Sequence, residues 1–274
     1  MRDPYAIIHK KVTKVALKTK PWNFPGFTRL MRISDKPHAR RVFFGMASLI
    51  QRNMEKYEIE IFKNFLKHNM TVLDVGANIG VYTKIASEII GRKGRVFSFE
   101  PEPKNFEALK RAVSNNILNN VVVSPKALSN EVGHVRLYKD EVNIGNHSLS
   151  KDNLLKGADY VEVQSTTVDK YFVGKGRVDL IKMDTQGSEA KVIEGAKSIL
   201  NKYKPDIMME FWPQGLRHCG SDPVGLLKQL QSYGYNIRLI DKTHKKLHDF
   251  SPDQIMDTCE KQRHGADYAN LLLV

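Results

Sequence analysis

Cysteine is nearly absent from this 274-residue chain: Cys219 and Cys259 are the only two. That excludes a disulfide scaffold and a four-cysteine zinc site, and it fits a reducing, cytoplasmic setting. No stretch approaches the roughly 18 apolar residues of a membrane span. The start, Met1-Arg2-Asp3-Pro4-Tyr5, lacks an apolar core followed by a small-residue cleavage site, so no secretory signal is expected. None of the nine histidines joins a cysteine at zinc spacing. His244 and His248 are four apart, but they lack the glutamate of a zinc-protease motif and flank Lys245 and Lys246. No histidine or cysteine metal site is expected, and a divalent ion between Asp184 and Glu210 stays open as an alternative. There is no internal repeat and no low-complexity tract.

What is present is an ordinary globular composition, 41% apolar and 27% charged, enough to bury a sizeable core. The net charge of +13 is unevenly placed. Residues 1–56 hold thirteen Lys/Arg against three acids and so carry +10 of it. Residues 1–43, broken by Pro4, Pro21, Pro25 and Pro37, read as a basic arm ahead of a domain over 44–274. Such an arm suits RNA, an anionic membrane surface or an acidic glycan, or is simply a solvated extension. The expected location is therefore cytoplasmic, with or without a peripheral membrane contact.

Apolar residues from Ala47 to Lys67 recur near the helical period and predict a helical N-terminal extension. Strands and helices then alternate. Strands are expected at Thr71–Val75, Arg95–Phe99, Val121–Val123, Val178–Met183, Asp206–Glu210, Asn236–Ile240 and Tyr268–Val274. Helices are expected at Val81–Ile90, Asn105–Asn115, Ser188–Leu200 and Pro223–Tyr233. Two short extra strands, His134–Tyr138 and Tyr160–Ser165, form a small β insertion. The pattern predicts an α/β fold with seven core strands and right-handed crossovers. No clear helix separates the last two strands, so the final one is expected to return antiparallel through a hairpin-like connection.

The first strand runs into Asp74-Val75-Gly76-Ala77-Asn78-Ile79-Gly80. This is no Walker loop, because no Gly-Lys-Ser/Thr follows. Nor is it a dinucleotide fingerprint: Asn78 and Val81 stand where glycines are required, which disfavours a pyrophosphate ligand. Gly76 and Gly80 permit close approach of backbone, and the helix that follows offers free N–H groups to a carboxylate. Asp74 at the strand end suits an ammonium. Glu100 closes the second strand, 20 residues past Gly80, where an acid accepts hydrogen bonds from ribose hydroxyls. An amino acid joined to a ribose, without pyrophosphate, is S-adenosyl-L-methionine.

The stretch Val72-Leu73-Asp74-Val75-Gly76-Ala77-Asn78-Ile79-Gly80 resembles motif I of the FkbM-type methyltransferases. Phe99-Glu100-Pro101 is similar to their next motif, and Lys182-Met183-Asp184-Thr185-Gln186-Gly187-Ser188-Glu189 to their K-x-D-x-E-G-x-E stretch. Gln186 departs from the glutamate usual there. The resemblance implies a class I methyltransferase sheet, Rossmann-like, and O-methylation, often of sugars or natural products. Ala77 and Asn78 belong to the cofactor set with Asp74, Gly76, Gly80 and Glu100. Lys126 and Ala127 follow the third strand, where this fold lines the adenine.

Asp184 and Glu210 end neighbouring strands, where open α/β sheets bind ligands. They are the expected base and orienter for an acceptor hydroxyl. His147, in a loop resembling the family's acceptor-side segment, is a third candidate. Lys182 is a weaker one, and Phe211-Trp212-Pro213 either floors the acceptor pocket or packs a turn. The expected acceptor is a sugar, glycan or other small molecule. The competing expectation is RNA 2′-O-methylation, motivated by the basic arm and the Lys182, Asp184, Glu210 set. A non-catalytic cofactor-binding protein is a third expectation. The exocyclic-amine signature N-P-P-[YF] is absent.

Overall fold

A computed structural model describes residues 47–49, 51–140, 145–154, 159–261 and 267–274. The basic arm over 1–43 and part of the polar stretch around Asn143 to Lys156 lie outside the described residues. Helical turns at 47–49 and 51–54 lead to α1 (Lys56–Phe65), with a turn at Glu55 interrupting the single helix expected from periodicity.

The main sheet starts with β1 (Thr71–Val75), α2 (Val81–Ile90), β2 (Arg95–Phe99), α3 (Pro103–Asn115) and β3 (Val121–Ser124). A small sheet of β4 (Ala127–Leu128), β5 (Gly133–Tyr138) and β6 (Tyr160–Thr166) interrupts the alternation. The short α4 (Val168–Tyr171) returns the chain to β7 (Leu180–Met183). Then follow α5 (Glu189–Glu194), α6 (Lys197–Tyr203), β8 (Asp206–Phe211), α7 (Pro213–His218) and α8 (Pro223–Ser232). The chain closes with β9 (Ile237–Asp241), β10 (Lys246–Asp249), α9 (Pro252–Glu260) and β11 (Ala269–Leu273).

The sheet order is β10-β9-β11-β8-β7-β1-β2-β3. The strands from β3 to β8 are parallel, and β11 runs antiparallel to both β8 and β9. These are the seven expected strands plus an edge strand. Three expectations about this part of the chain need correction. The hairpin joins β9 to β10, not to the last strand. A helix does precede the last strand: Ser251 and Gln254 form a reciprocal capping box with Pro252 in the first turn. The helix expected over Ser188–Leu200 is also two helices. A side chain at Gly195 would lie 2.1 Å from the Ser129 carbonyl oxygen, so the chain passes that loop backbone-first and the helix restarts at Lys197.

Both faces of the sheet are covered, which is why its strands read as continuous apolar runs. Leu73, Val75, Ile181, Met183, Ile207 and Met209 pack on one face with residues of α5, α6, α8 and α9. Val72, Val96, Leu180, Met208 and Leu272 pack on the other with residues of α1 and α2. At the carboxyl ends of the central strands the second face turns polar: Asp74 pairs in register with Ser98 and Lys182. Thr83 of α2 covers that patch, donating to Asp74 Oδ2 at 2.6 Å and lying 2.7 Å from Ser98 Oγ. No helix among the described residues is long and apolar enough to cross a membrane.

Candidate active site

The β1–α2 turn is built around three left-handed residues, Gly76, Asn78 and Gly80. The expectation that Gly76 brings backbone to a ligand is refined here. A Cβ at Gly76 would lie 1.9 Å from the Asp184 carbonyl oxygen, so the glycine lets β1 and β7 end side by side. A Cβ at Gly80 would meet Leu109 Cδ1 at 2.7 Å, so this glycine seats α2 against α3. The Gly76 and Ala77 N–H groups donate to the Phe99 carbonyl, at 3.0 and 2.9 Å, locking the turn over β2.

Glu100 is buried beside this turn. Its Oε2 accepts from the Asn78 N–H at 2.7 Å and its Oε1 from the Glu102 N–H at 2.9 Å. Burial still dominates and pushes its carboxyl up to about 8. The carboxyl is thus fixed in orientation and keeps acceptor capacity on both oxygens, the requirement for gripping two hydroxyls.

A cleft opens over the turn, walled by Gly76, Ala77, Asn78, Phe99, Glu100 and Pro101 on one side. Lys126, Ala127, Leu128 and Leu137 form the rest of an apolar flank that suits a flat ring. Ala127 lies in β4, so the small sheet supplies this flank. Asp74 and Gly80 are not on the cleft wall. Asp74 is 1% exposed, with Lys182 opposite and Oδ1 lacking a hydrogen-bond partner. Asn78, whose Oδ1 is a second buried acceptor without a partner, does line the cleft. The Glu100 carboxyl for hydroxyls, an apolar slot and an unpartnered acceptor on a wall residue fit S-adenosyl-L-methionine, with its ribose, adenine and ammonium.

Beyond β7 four polar side chains converge. Lys182 Nζ lies 3.3 Å from Asp184 Oδ2 and 4.8 Å from the centre of the Tyr82 ring. Burial alone would lower the Lys182 pKa, but Asp184, Glu55, Asp74 and Glu210 together raise it. Gln186 Nε2 donates to Asp184 Oδ1 at 2.7 Å and to Glu210 Oε1 at 3.1 Å. Burial, then the charges of Asp184 and Glu189, push the Glu210 carboxyl well above the usual range.

Glu189, not singled out from the sequence, closes the loop beneath. Its carboxylate accepts from Thr185 N–H at 2.8 Å, Thr185 Oγ1 at 2.9 Å and Gly187 N–H at 3.1 Å. It stands as the last residue of the quoted motif, the one signal that pointed to it. The Gln186 carbonyl accepts from Ser148 Oγ at 2.7 Å and Asn153 Nδ2 at 2.9 Å, which holds the loop from above.

His147 faces the cleft, and its Nδ1 accepts from the Asp140 N–H at 3.0 Å. In the neutral ring that leaves the proton on Nε2. Burial lowers the His147 pKa, although Glu102 and Asp140 oppose this. His244 and His248 both reach Asp241 Oδ2, at 2.8 and 3.2 Å, in the β9–β10 hairpin.

A second, roomier cavity of about 460 Å³ adjoins the cleft. Asn78, Tyr82, Lys182, Asp184 and Gln186 line both, so these residues mark the junction. Glu210 and Trp212 belong to the second cavity only, whereas Phe211 is fully buried in the core. Trp212 Nε1 donates to Asp267 Oδ2 at 3.0 Å.

The profile of the Methyltransferase FkbM domain matches residues 74–237. Methyltransferase sdnD of Sordaria araneosa is 25% identical over 183 residues, 56% of this chain and 70% of that protein. Hexuronic acid methyltransferase AglP of Haloferax volcanii is 27% identical over 161 residues, 57% of this chain and 59% of that protein. The crystal structure of Methyltransferase FkbM from Methylobacillus flagellatus KT superposes with a TM-score of 0.46 at 16% identity, spanning 93% of this chain and 59% of that one. The profile match takes in the glycine turn, the Phe99-Glu100-Pro101 strand end and the Lys182-to-Glu189 stretch, and the chain belongs to the FkbM family of S-adenosyl-L-methionine-dependent methyltransferases.

Proposed function

We propose that this methyltransferase acts on a hydroxyl of a sugar, glycan or similar small molecule, bound in the second cavity. The observation that carries this reading is the junction itself: Asp184 stands on the walls of both cavities, with Glu210 one strand away. The larger cavity falls in the size range of small-molecule sites and combines carboxylates, amides and the face of Trp212. The hexuronic acid acceptor named for the Haloferax relative adds weight to a sugar.

The bound cofactor supplies an electrophilic methyl group on a sulfonium. Glu100 would hold the ribose hydroxyls and Asn78 the amino-acid end, while Lys126 and Ala127 would border the adenine. Aligning the acceptor oxygen with the methyl carbon provides much of the acceleration. The oxygen gains the methyl and must lose its proton. Asp184 receives it, as the carboxylate held at the junction by Lys182 and Gln186. Glu210, shifted upward by burial, holds the acceptor through its second oxygen. His147 acts as a hydrogen-bond donor through Nε2–H and not as the base, because Nδ1 is already occupied.

RNA 2′-O-methylation is the competing reading. The acid-rich cavity wall disfavours a phosphate backbone, and the basic arm is what favours one. The test offers radiolabelled S-adenosyl-L-methionine with total RNA, with a glycan and lipid extract, and with neither. Label in the glycan or small-molecule fraction supports the reading, and label in RNA overturns it.

A further inference from the structure

The second cavity has a wall that opposes the charge of the protein. The chain is +13, yet among the described residues five carboxylates, those of Glu55, Glu58, Asp184, Glu210 and Asp267, face two ammonium groups, Lys182 and Lys242. Burial raises the carboxyls of both Glu55 and Glu210, and with both protonated the three remaining carboxylates still outnumber the two ammoniums. An anionic ligand entering there meets a field of its own sign at short range.

Part of the cavity wall is formed by parts of the chain outside residues 74–237. Glu58 comes from α1, Lys242 from the β9–β10 turn, Tyr268 from just before β11 and Asn270 from β11, where it pairs in register with Glu210. Asn270 Nδ2 donates to Glu58 Oε1 at 3.3 Å, and Lys242 Nζ lies 3.9 Å from the same oxygen. Lys242 Nζ also reaches Tyr268 Oη at 3.4 Å. Glu58 Oε2 is different. The residue is only 2% exposed, and this oxygen has no hydrogen-bond partner. Asn78 Oδ1, on the same wall, is likewise unpartnered. A buried acceptor without a donor costs stability that a ligand bringing a donor recovers.

Resting on the sugar-acceptor reading above, we propose that the acceptor is a polyol without negative charge, neutral or amine-bearing. Its distal hydroxyl or ammonium donates to Glu58 Oε2, within a subsite completed by Lys242, Tyr268 and Asn270. Glu58 is then a specificity-determining residue, joined through Asn270 to the strand that carries Glu210. The acceptor class is thereby separated from hexuronic acids and from nucleic acid.

The test uses the full chain with saturating S-adenosylhomocysteine and three probes of one ring type: methyl glucoside, methyl glucosaminide and methyl glucuronide. Binding is read by calorimetry, and labelled-methyl transfer is followed in parallel, with an RNA oligonucleotide as fourth substrate. The glucoside and glucosaminide are expected to bind at least about tenfold more tightly than the glucuronide. Glu58→Gln is expected to weaken the glucosaminide about tenfold or more and to leave the glucuronide unchanged or improved. The wild-type ranking stands as a test even if the variant does not fold. A glucuronide that binds as well as the glucoside overturns the charge inference and leaves the sugar reading in place. Equal glucosaminide binding by wild type and a folded Glu58→Gln overturns the role of Glu58. No binding of any probe, with label in the oligonucleotide, overturns both.

Discussion

One side-chain amide holds two carboxylates of the site: Gln186 Nε2 donates to Asp184 Oδ1 at 2.7 Å and to Glu210 Oε1 at 3.1 Å. Gln186 itself sits at a φ of 53°, a left-handed conformation imposed by the loop that Glu189 ties down. The residue that departs from the usual glutamate of the motif is therefore the neutral donor between two acids.

Replacing it by the motif's own glutamate tests this relationship. Gln186→Glu puts a third carboxylate against Asp184 and Glu210 and removes both hydrogen bonds. A loss of about 1–3 kcal/mol is expected near neutral pH. The loss should shrink as pH falls and the carboxyls take up protons. Denaturant titrations of both proteins at pH 5 and pH 8 check it, and an equal deficit at the two pH values would contradict it.

Gly76 has a φ of 74° and no room for a Cβ against the Asp184 carbonyl. Gly76→Ala should therefore destabilise the whole domain by about 2 kcal/mol or more, combining backbone strain with displacement of β7. The measurement is the urea midpoint of the cofactor-free protein. Normal stability with lost cofactor binding would assign the glycine to the ligand and not to the sheet.

Glu100 has its carboxyl raised from the usual range to about 8 by burial. The folded state binds this proton more tightly than the unfolded state. The stability it contributes is complete below about pH 4.5 and is lost as pH rises through about 8. The change is of the order of a few kcal/mol in the cofactor-free protein. Glu100→Gln should flatten the decline in Tm between pH 5 and 8. The same substitution should weaken S-adenosyl-L-methionine by about 1–3 kcal/mol if the carboxylate grips the ribose.

Asp184→Asn keeps the shape of the proposed base and removes its basicity. Single-turnover methyl transfer should fall about 10²–10⁴-fold, with cofactor affinity nearly unchanged. Turnover that survives this change but is abolished by Glu210→Gln would exchange the two roles. Survival of both with loss on His147→Ala would move the base to the imidazole.

Local pattern alone was enough for the alternating core. The helix expected at Val81–Ile90 has those bounds in the structure, and β1 and β2 start and end where their apolar runs do. Gly80 before the helix and Gly91 after it carry the start and stop in the sequence itself. Asp74, Glu100, Asp184 and Glu210 were legible for the same reason: each stands at or next to the end of a recognisable strand, and a parallel sheet gathers such ends at one edge.

What the tertiary structure alone decided is how chain-distant groups meet. Local periodicity does not specify that β11 enters between β8 and β9, yet that insertion brings Asn270 to Glu58, 212 residues away, and so builds part of the second cavity's wall. Nor does it reveal that the turn glycine Gly76 makes room for the Asp184 carbonyl, or that Gln186 spans two acids from adjacent strands. Propensity and patterning act over a few residues, whereas strand order and register are set by the packing of the whole sheet. The elements and their terminal acids were thus written in the sequence, whereas the link of Asp184 to Glu210 through Gln186, the Lys182–Asp184 pair and the Asn270–Glu58 contact were settled by packing.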